Sequence, residues 1–150
     1  MDTLYIRKIK QGIVIDHIKT GKGIMVVEII KKFFNLDTSE ISIGINYESS
    51  KIGRKDLVKI SGDIELPEIA LQHIAVMCGN LSVKKIDNYE VVKKFKLDFT
   101  EKIIGIVRCL NPKCVTNVEK ITTRFTRIET GLYKCEYCEK TYQISTITGE

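Results

Sequence analysis

The sequence predicts a mixed α+β chain in two parts, and three observations carry that expectation. Over the first hundred residues, alternating apolar stretches are interrupted twice by apolar residues at helical spacing. Over the last fifty, only short β-branched runs occur, separated by turn residues. Four of the 5 cysteines fall in that second stretch, as two tight pairs. At 150 residues, 43% hydrophobic and 29% charged, the chain is globular in composition and long enough for one domain or two small ones.

Taken in order, residues 8–17 contain Gly12-Ile13-Val14-Ile15, a β-branched run that reads as a strand. Gly21-Lys22-Gly23 opens a helix in which Ile24, Val27, Ile30 and Phe34 recur at helical spacing, ending near Asn35. Residues 40–47 set Ile41, Ile43 and Ile45 against Ser42, Gly44 and Asn46, a half-buried strand. Ser49-Ser50-Lys51-Ile52-Gly53 turns the chain into another strand over 56–60. Leu66-Pro67-Glu68 begins a second helix, with Pro67 near the first helical position, where a missing N–H costs nothing. Gly79-Asn80 stops it, and 81–87 and 90–96 are two further strands. The order is β-α-β-β-α-β plus one strand. That is a ferredoxin-like split βαβ pattern, with two helices on one face of an antiparallel sheet. The domains are expected at 1–97 and 101–150, the second a small all-β unit with strands over 103–107, 122–128, 132–134 and 142–147.

In that second unit Cys109, Cys114, Cys135 and Cys138 follow the pattern C-x4-C-x20-C-x2-C. Two tight turns each bring two thiolates to one side, and the second pair closes a tetrahedron begun by the first. This is the spacing of a four-cysteine zinc site, whose full shell leaves no position for a reacting water, so the metal is structural. A unit of about 50 residues is marginal on hydrophobic burial alone, and metal binding on the order of 10–16 kcal/mol changes that. The alternatives are two disulfides or four free thiols; a reducing compartment disfavours the first. Cys78, after Ala75-Val76-Met77, reads as a buried small hydrophobe with no base beside it.

The remaining signals mostly exclude. The net charge of +5 is spread over both parts, without a basic tail, so charge alone does not make a nucleic-acid binder, though it suits a small anionic ligand. The longest apolar run, Ile74–Cys78, is far short of a membrane span, and the N-terminus lacks a signal-peptide pattern, which reads as cytoplasmic. Phosphate-loop, dinucleotide, zinc-protease and serine-hydrolase motifs are missing. Only His17 and His73 could serve a histidine-based triad, and no nucleophile is placed by a motif. A competing reading takes the second unit as a zinc ribbon that grips nucleic acid through Arg124, Phe125, Arg127, Tyr133 and Tyr142.

Four strings raise the reading further. They are Gly12-Ile13-Val14-Ile15-Asp16-His17-Ile18, Gly53-Arg54-Lys55-Asp56-Leu57-Val58-Lys59-Ile60, Lys85-Ile86-Asp87-Asn88-Tyr89-Glu90-Val91-Val92 and Cys135-Glu136-Tyr137-Cys138-Glu139-Lys140. In this order and with the cysteine spacing, the chain resembles the regulatory chain of aspartate carbamoyltransferase over nearly its whole length. The resemblance implies a non-catalytic chain that pairs as a homodimer through its N-terminal domain and docks on catalytic chains through its zinc domain, without nucleic acid or membrane. It implies inhibition by CTP with UTP and activation by ATP, as feedback on pyrimidine biosynthesis. By the same resemblance Asp16 and His17 sit beside ribose and phosphate, and Lys59 and Lys94 bring positive charge. Ile9 and Leu57 flank the nucleotide, while Ile86, Tyr89 and Val91 supply backbone and apolar contacts. The strand over 41–46 matches the part of the family that contributes to dimerisation. The sequence departs from the family pattern at Arg7 and Lys84, which add positive charge near the nucleotide and weaken discrimination between bases. It departs again at Lys113, where the family has an amide facing the catalytic chain.

Overall fold

The computed structural model describes residues 8–36, 39–50 and 53–148. Arg7, Lys51 and Ile52 lie outside the described residues. Two compact units divide the chain, one ending at Asp98 and the other beginning at Phe99. Among the described residues no helix is long and apolar enough to cross a membrane.

The first unit runs β1 (Gly12–Lys19), α1 (Gly23–Lys31), β2 (Ile41–Ser49), β3 (Gly53–Ser61), α2 (Glu68–Cys78), β4 (Leu81–Asp87) and β5 (Glu90–Leu97). The strands form one antiparallel sheet in the order β2-β3-β1-β4-β5. Because β3 inserts between β2 and β1, the β1-α1-β2 connection is split, as the element order predicts. The β-branched run of β1 occupies the centre of the sheet. Its Ile13 and Ile15 join Val58 and Ile60 of β3 and Leu81 and Val83 of β4 on one face. Both helices cover that face, with Val26, Ile29 and Ile30 of α1 and Ile74 and Cys78 of α2 in the same core. Each such aliphatic side chain contributes about 1.5–3 kcal/mol on burial. The opposite face of the sheet carries Val14, Asp16, Leu57, Lys59, Ser82 and Lys84, the alternate residues of the same strands.

Helix α1 stops at Lys31, short of the predicted Asn35, and closes in turns that return Phe33 N–H and Phe34 N–H to Ile30. Pro67 is the N-cap of α2 rather than its first residue. Two bulges break the ladders on either side of β3. One lies in β1 between Ile15 and Ile18, with His17 at φ 59°; the other lies in β2 between Gly44 and Tyr47, with Asn46 at φ 61°. Both residues are of the types that tolerate left-handed backbone.

The second unit comprises β6 (Lys102–Ile104), α3 (Val115–Val118), β7 (Arg124–Glu129), β8 (Leu132–Cys135), β9 (Thr141–Gln143) and α4 (Ile144–Ile147), with its four strands in sequence order. Phe125, Tyr133 and Ile103 are fully buried in it, and the Tyr133 hydroxyl donates to the Thr100 carbonyl. Two strands stop well short of their predicted C-terminal ends. β6 ends at Ile104 because Gly105 turns left-handed at φ 70° and its N–H bonds the Thr123 carbonyl. Residues 144–147 form a helical turn in place of a strand: β-branched residues favour extension, but burial of Ile147 and the Thr148 N–H to Ile144 carbonyl bond outweigh that preference.

Candidate functional site

Register alone brings together lysines that are distant in sequence. Residues directly opposite in antiparallel strands share a face. Ser42 pairs with Lys59, Lys59 with Val14, Val14 with Lys84, and Lys84 with Lys94, a continuous row across all five strands. One row along, Asp16 lies opposite Ser82, which is opposite Lys96. In the other direction Gly12 lies between Ser61 and Ile86, and Ile86 opposite Val91. The Asp16 row and the Gly12 row are four residues apart, about 13 Å at strand rise.

Asp16 is 7% exposed and is the anchor of the cationic end. Its Oδ1 accepts from the Lys55 ammonium at 2.8 Å and from the His17 N–H at 2.7 Å, and its Oδ2 faces the Lys84 ammonium at 3.6 Å. Burial raises the Asp16 carboxyl, but the Lys55 and His17 donors outweigh it and hold it below the ordinary carboxylate value. At Lys59 burial lowers the ammonium, Asp16 pulls it up, and Lys84, Lys8 and Lys55 push it down again, leaving it below the ordinary lysine value. The positive φ of His17 turns its ring to Ser82, with Nδ1 3.3 Å from Oγ. The bulge thus re-aims a side chain beside the charged cluster.

The apolar end is more open. Ile86 is buried, whereas Tyr89 is 59% and Val91 53% exposed. Tyr89 lies at the turn between β4 and β5, where its N–H bonds the Lys10 carbonyl. Ile9 precedes β1 and packs over Gly12; Leu57, opposite Gly44 and one residue beyond the Ile15–Val58 pair, lies instead at the Asp16 end of the face. Asp16, His17, Leu57, Lys59, Ile86, Val91 and Lys94 therefore belong to one face or its margin, with Ile9 and Tyr89 at one end. Lys55 was missed by the sequence reading. Its signal was parity: residues 55, 57 and 59 of β3 fall on one side.

The second site is built from two loops and a strand end. Cys109 and Cys114 flank a turn closed by the Cys114 N–H to Asn111 carbonyl bond; Cys135 ends β8, and the Glu139 N–H returns to its carbonyl to form the other turn. The Asn117 amide ties the first loop by donating to the carbonyls of Cys109 (2.8 Å) and Asn111 (2.7 Å). All four sulfurs lie within 4.8 Å of one another. Cys109 Sγ is 3.7 Å from Cys138 Sγ, and Cys114 Sγ is 3.7 Å from Cys135 Sγ. A disulfide needs about 2.05 Å, so these are not disulfides. A tetrahedron with metal–sulfur bonds of about 2.3 Å has edges of about 3.8 Å, so the donor set fits a four-coordinate metal ion. Four thiols this close are hard to ionise together without a cation: burial pushes Cys135 up to about 12. At Cys114 burial is opposed by donation from the Thr116 hydroxyl (3.2 Å) and backbone, which bring it to about 7.

Comparison with known proteins covers both units. The family described as the aspartate carbamoyltransferase regulatory chain, allosteric domain, matches residues 4–98. The metal-binding domain of the same regulatory chain matches residues 101–148. An aspartate carbamoyltransferase regulatory chain of Pyrococcus abyssi is 42% identical over 145 residues, covering 95% of each chain. Chains of the same name from Thermococcus sibiricus and Phocaeicola vulgatus are each 40% identical, the former over 95% of this chain and 94% of its own, the latter over 91% and 88%. The chain belongs to the aspartate carbamoyltransferase regulatory-chain family.

Proposed function

From that membership we propose that the chain is a non-catalytic regulatory subunit that binds CTP and UTP as inhibitors and ATP as activator, and assembles with catalytic chains of aspartate carbamoyltransferase. Feedback on pyrimidine biosynthesis follows from inhibition by the end product. The observation that carries the reading is the row of Lys59, Lys84 and Lys94 beside the Asp16 cluster. Ammonium groups gathered on the sheet face opposite the two helices suit a polyphosphate. The apolar margin of Ile9, Ile86, Tyr89 and Val91, about 13 Å away at its far end, suits a base, and Leu57 flanks the nucleotide nearer Asp16. In this reading Asp16 and His17 lie beside ribose and phosphate, and Lys55 joins Lys59 and Lys94 as a phosphate-facing cation.

Cys109, Cys114, Cys135 and Cys138 would hold one zinc ion, which cross-links the two loops and closes its own shell, so the ion serves folding rather than turnover. Exposed Leu110, Val115, Val118 and Ile121 lie on and beside the loop that it organises, an apolar patch suited to a catalytic chain. Lys113 stands in the same loop and adds charge to that contact. Homodimerisation is assigned to the β2 edge, where Ile43 and Ile45 are exposed and, among the described residues, one side of the strand has no neighbour in the sheet. Regulation then requires different nucleotide affinities in two quaternary states, a coupling on the order of 1–3 kcal/mol.

The test is carbamoyl-aspartate formation by the catalytic trimer, with and without this chain, over CTP and ATP titrations. Nucleotide sensitivity that depends on the chain supports the reading. Co-assembly without any nucleotide response reduces the chain to a structural subunit.

A further inference from the structure

The charged end of the sheet face contains its own anion. The charges of Lys8, Lys55 and Lys84 all bear on Lys59 there, and Asp16 is a carboxylate that pairs with Lys55 and Lys84 and also attracts Lys59. Lys84 is directly opposite Lys94, and Lys85 is opposite Lys93 on the other side of the sheet. Like charges in directly opposite positions destabilise a ladder. On the helix-covered side the conflict is relieved locally: Glu65 accepts from Lys85 at 3.0 Å, and the Lys93 ammonium lies 5.7 Å from the centre of the Phe95 ring. On the side opposite the helices Asp16 offsets Lys84 at 3.6 Å while it is already engaged by Lys55 at 2.8 Å. A polyphosphate at this end would meet those same two ammonium groups beside a carboxylate that carries its own sign.

We propose that Asp16 is the resident counter-ion of this site, the group from which a bound polyphosphate takes Lys55 and Lys84, so that its charge lowers the affinity of the site rather than contributing to it. The proposal rests on the reading of this face as a nucleotide site. It assigns Asp16 a definite sign within it. While the site is empty, Asp16 keeps the lysines ordered and limits their mutual repulsion. When ligand binds, its phosphate oxygens replace the carboxylate, and the cost of that exchange keeps binding reversible.

The experiment is calorimetric titration of the full zinc-loaded chain, at fixed ionic strength and without magnesium, comparing the unmodified protein with Asp16→Asn. The probe is inorganic tripolyphosphate, which has neither base nor ribose, with ATP and CTP titrated alongside. Asparagine removes the charge and retains an oxygen acceptor for the His17 N–H. Tripolyphosphate is expected to bind Asp16→Asn at least about fivefold more tightly. Unchanged or weaker binding overturns the proposal. A second readout is one that a purely structural role would not move: Lys84→Gln should cost more affinity in the Asp16→Asn background, where the ammonium is free for phosphate, than in the unmodified protein. Equal costs in both backgrounds overturn the proposal too. If Asp16→Asn does not fold, Asp16→Ser tests the same sign. Tightened tripolyphosphate binding with no binding of ATP or CTP by either protein would refute the nucleotide reading and leave the counter-ion role standing. Nucleotide binding without any tightening does the reverse.

Discussion

Lys94 shows how little a single residue reveals until its neighbours are placed. Alone it is an exposed lysine on an edge strand; its register opposite Lys84 puts it in a row with Lys59. Lysines act as point charges that recognise phosphate rather than base. Lys94→Ala is therefore expected to weaken CTP and ATP by a similar factor, about tenfold for one charge-assisted contact. Equilibrium binding of both nucleotides checks this, and unchanged curves would remove Lys94 from the site. His73 makes a pH prediction. Burial first, and the nearby Lys32 charge second, hold its imidazole below the ordinary 6.5, with Phe33 edge-on at 5.3 Å. The folded value lies below the unfolded one, so the contribution to stability is present above the unfolded value and lost as pH falls through the folded value. Proton NMR of the His73 ring should give a midpoint below 6.5; a midpoint above it refutes the burial argument.

At the scale of elements, three segments meet on one carboxylate. Asp56 of β3 is 1% exposed; its Oδ2 accepts from Gly21 N–H at 3.0 Å and Gly23 N–H at 2.9 Å, and its Oδ1 from Asn46 N–H at 2.9 Å. It thereby caps α1, which has no side-chain cap of its own, and fixes the bulge of β2. A Cβ on residue 23 would stand 2.9 Å from Asp56 Oδ2, which explains glycine there. Asp56→Ala should leave buried N–H donors unsatisfied and cost roughly 3 kcal/mol, measured as a lowered urea midpoint. A loss within about 0.5 kcal/mol would place it among ordinary surface changes. Strands and helices of the first unit were legible because period-2 and period-3.6 patterns are local. The bulges were not, because a left-handed His17 or Asn46 is selected by the ladders on both sides. The turn over Ile144–Ile147 was misread for a similar reason: its β-branched residues point to a strand, and a tertiary contact decides otherwise.

For the whole molecule, the proposed metal and nucleotide sites fall in separate units, which gives a clean expectation. Cys114→Ser should release zinc and abolish assembly with catalytic chains while leaving nucleotide binding intact. Metal content, size-exclusion with the catalytic trimer and nucleotide titration check the three parts; loss of nucleotide binding as well would mean that the units do not fold independently. Two things could be read from the chain before any coordinates. The cysteine pattern is one, because chelation depends on short loops whose geometry is set by spacing. The element order is the other, because hydrophobic periodicity is written along the backbone. The four strings carried the family resemblance for the same reason, being local words in a fixed order. The charged face was different. Lys55, Lys59, Lys84 and Lys94 come from three strands, and strand pairing with its bulges decides which side each one takes and which carboxylate it meets. A one-residue slip in register would send half of them to the helix-covered side, so their common face exists only once the sheet has closed.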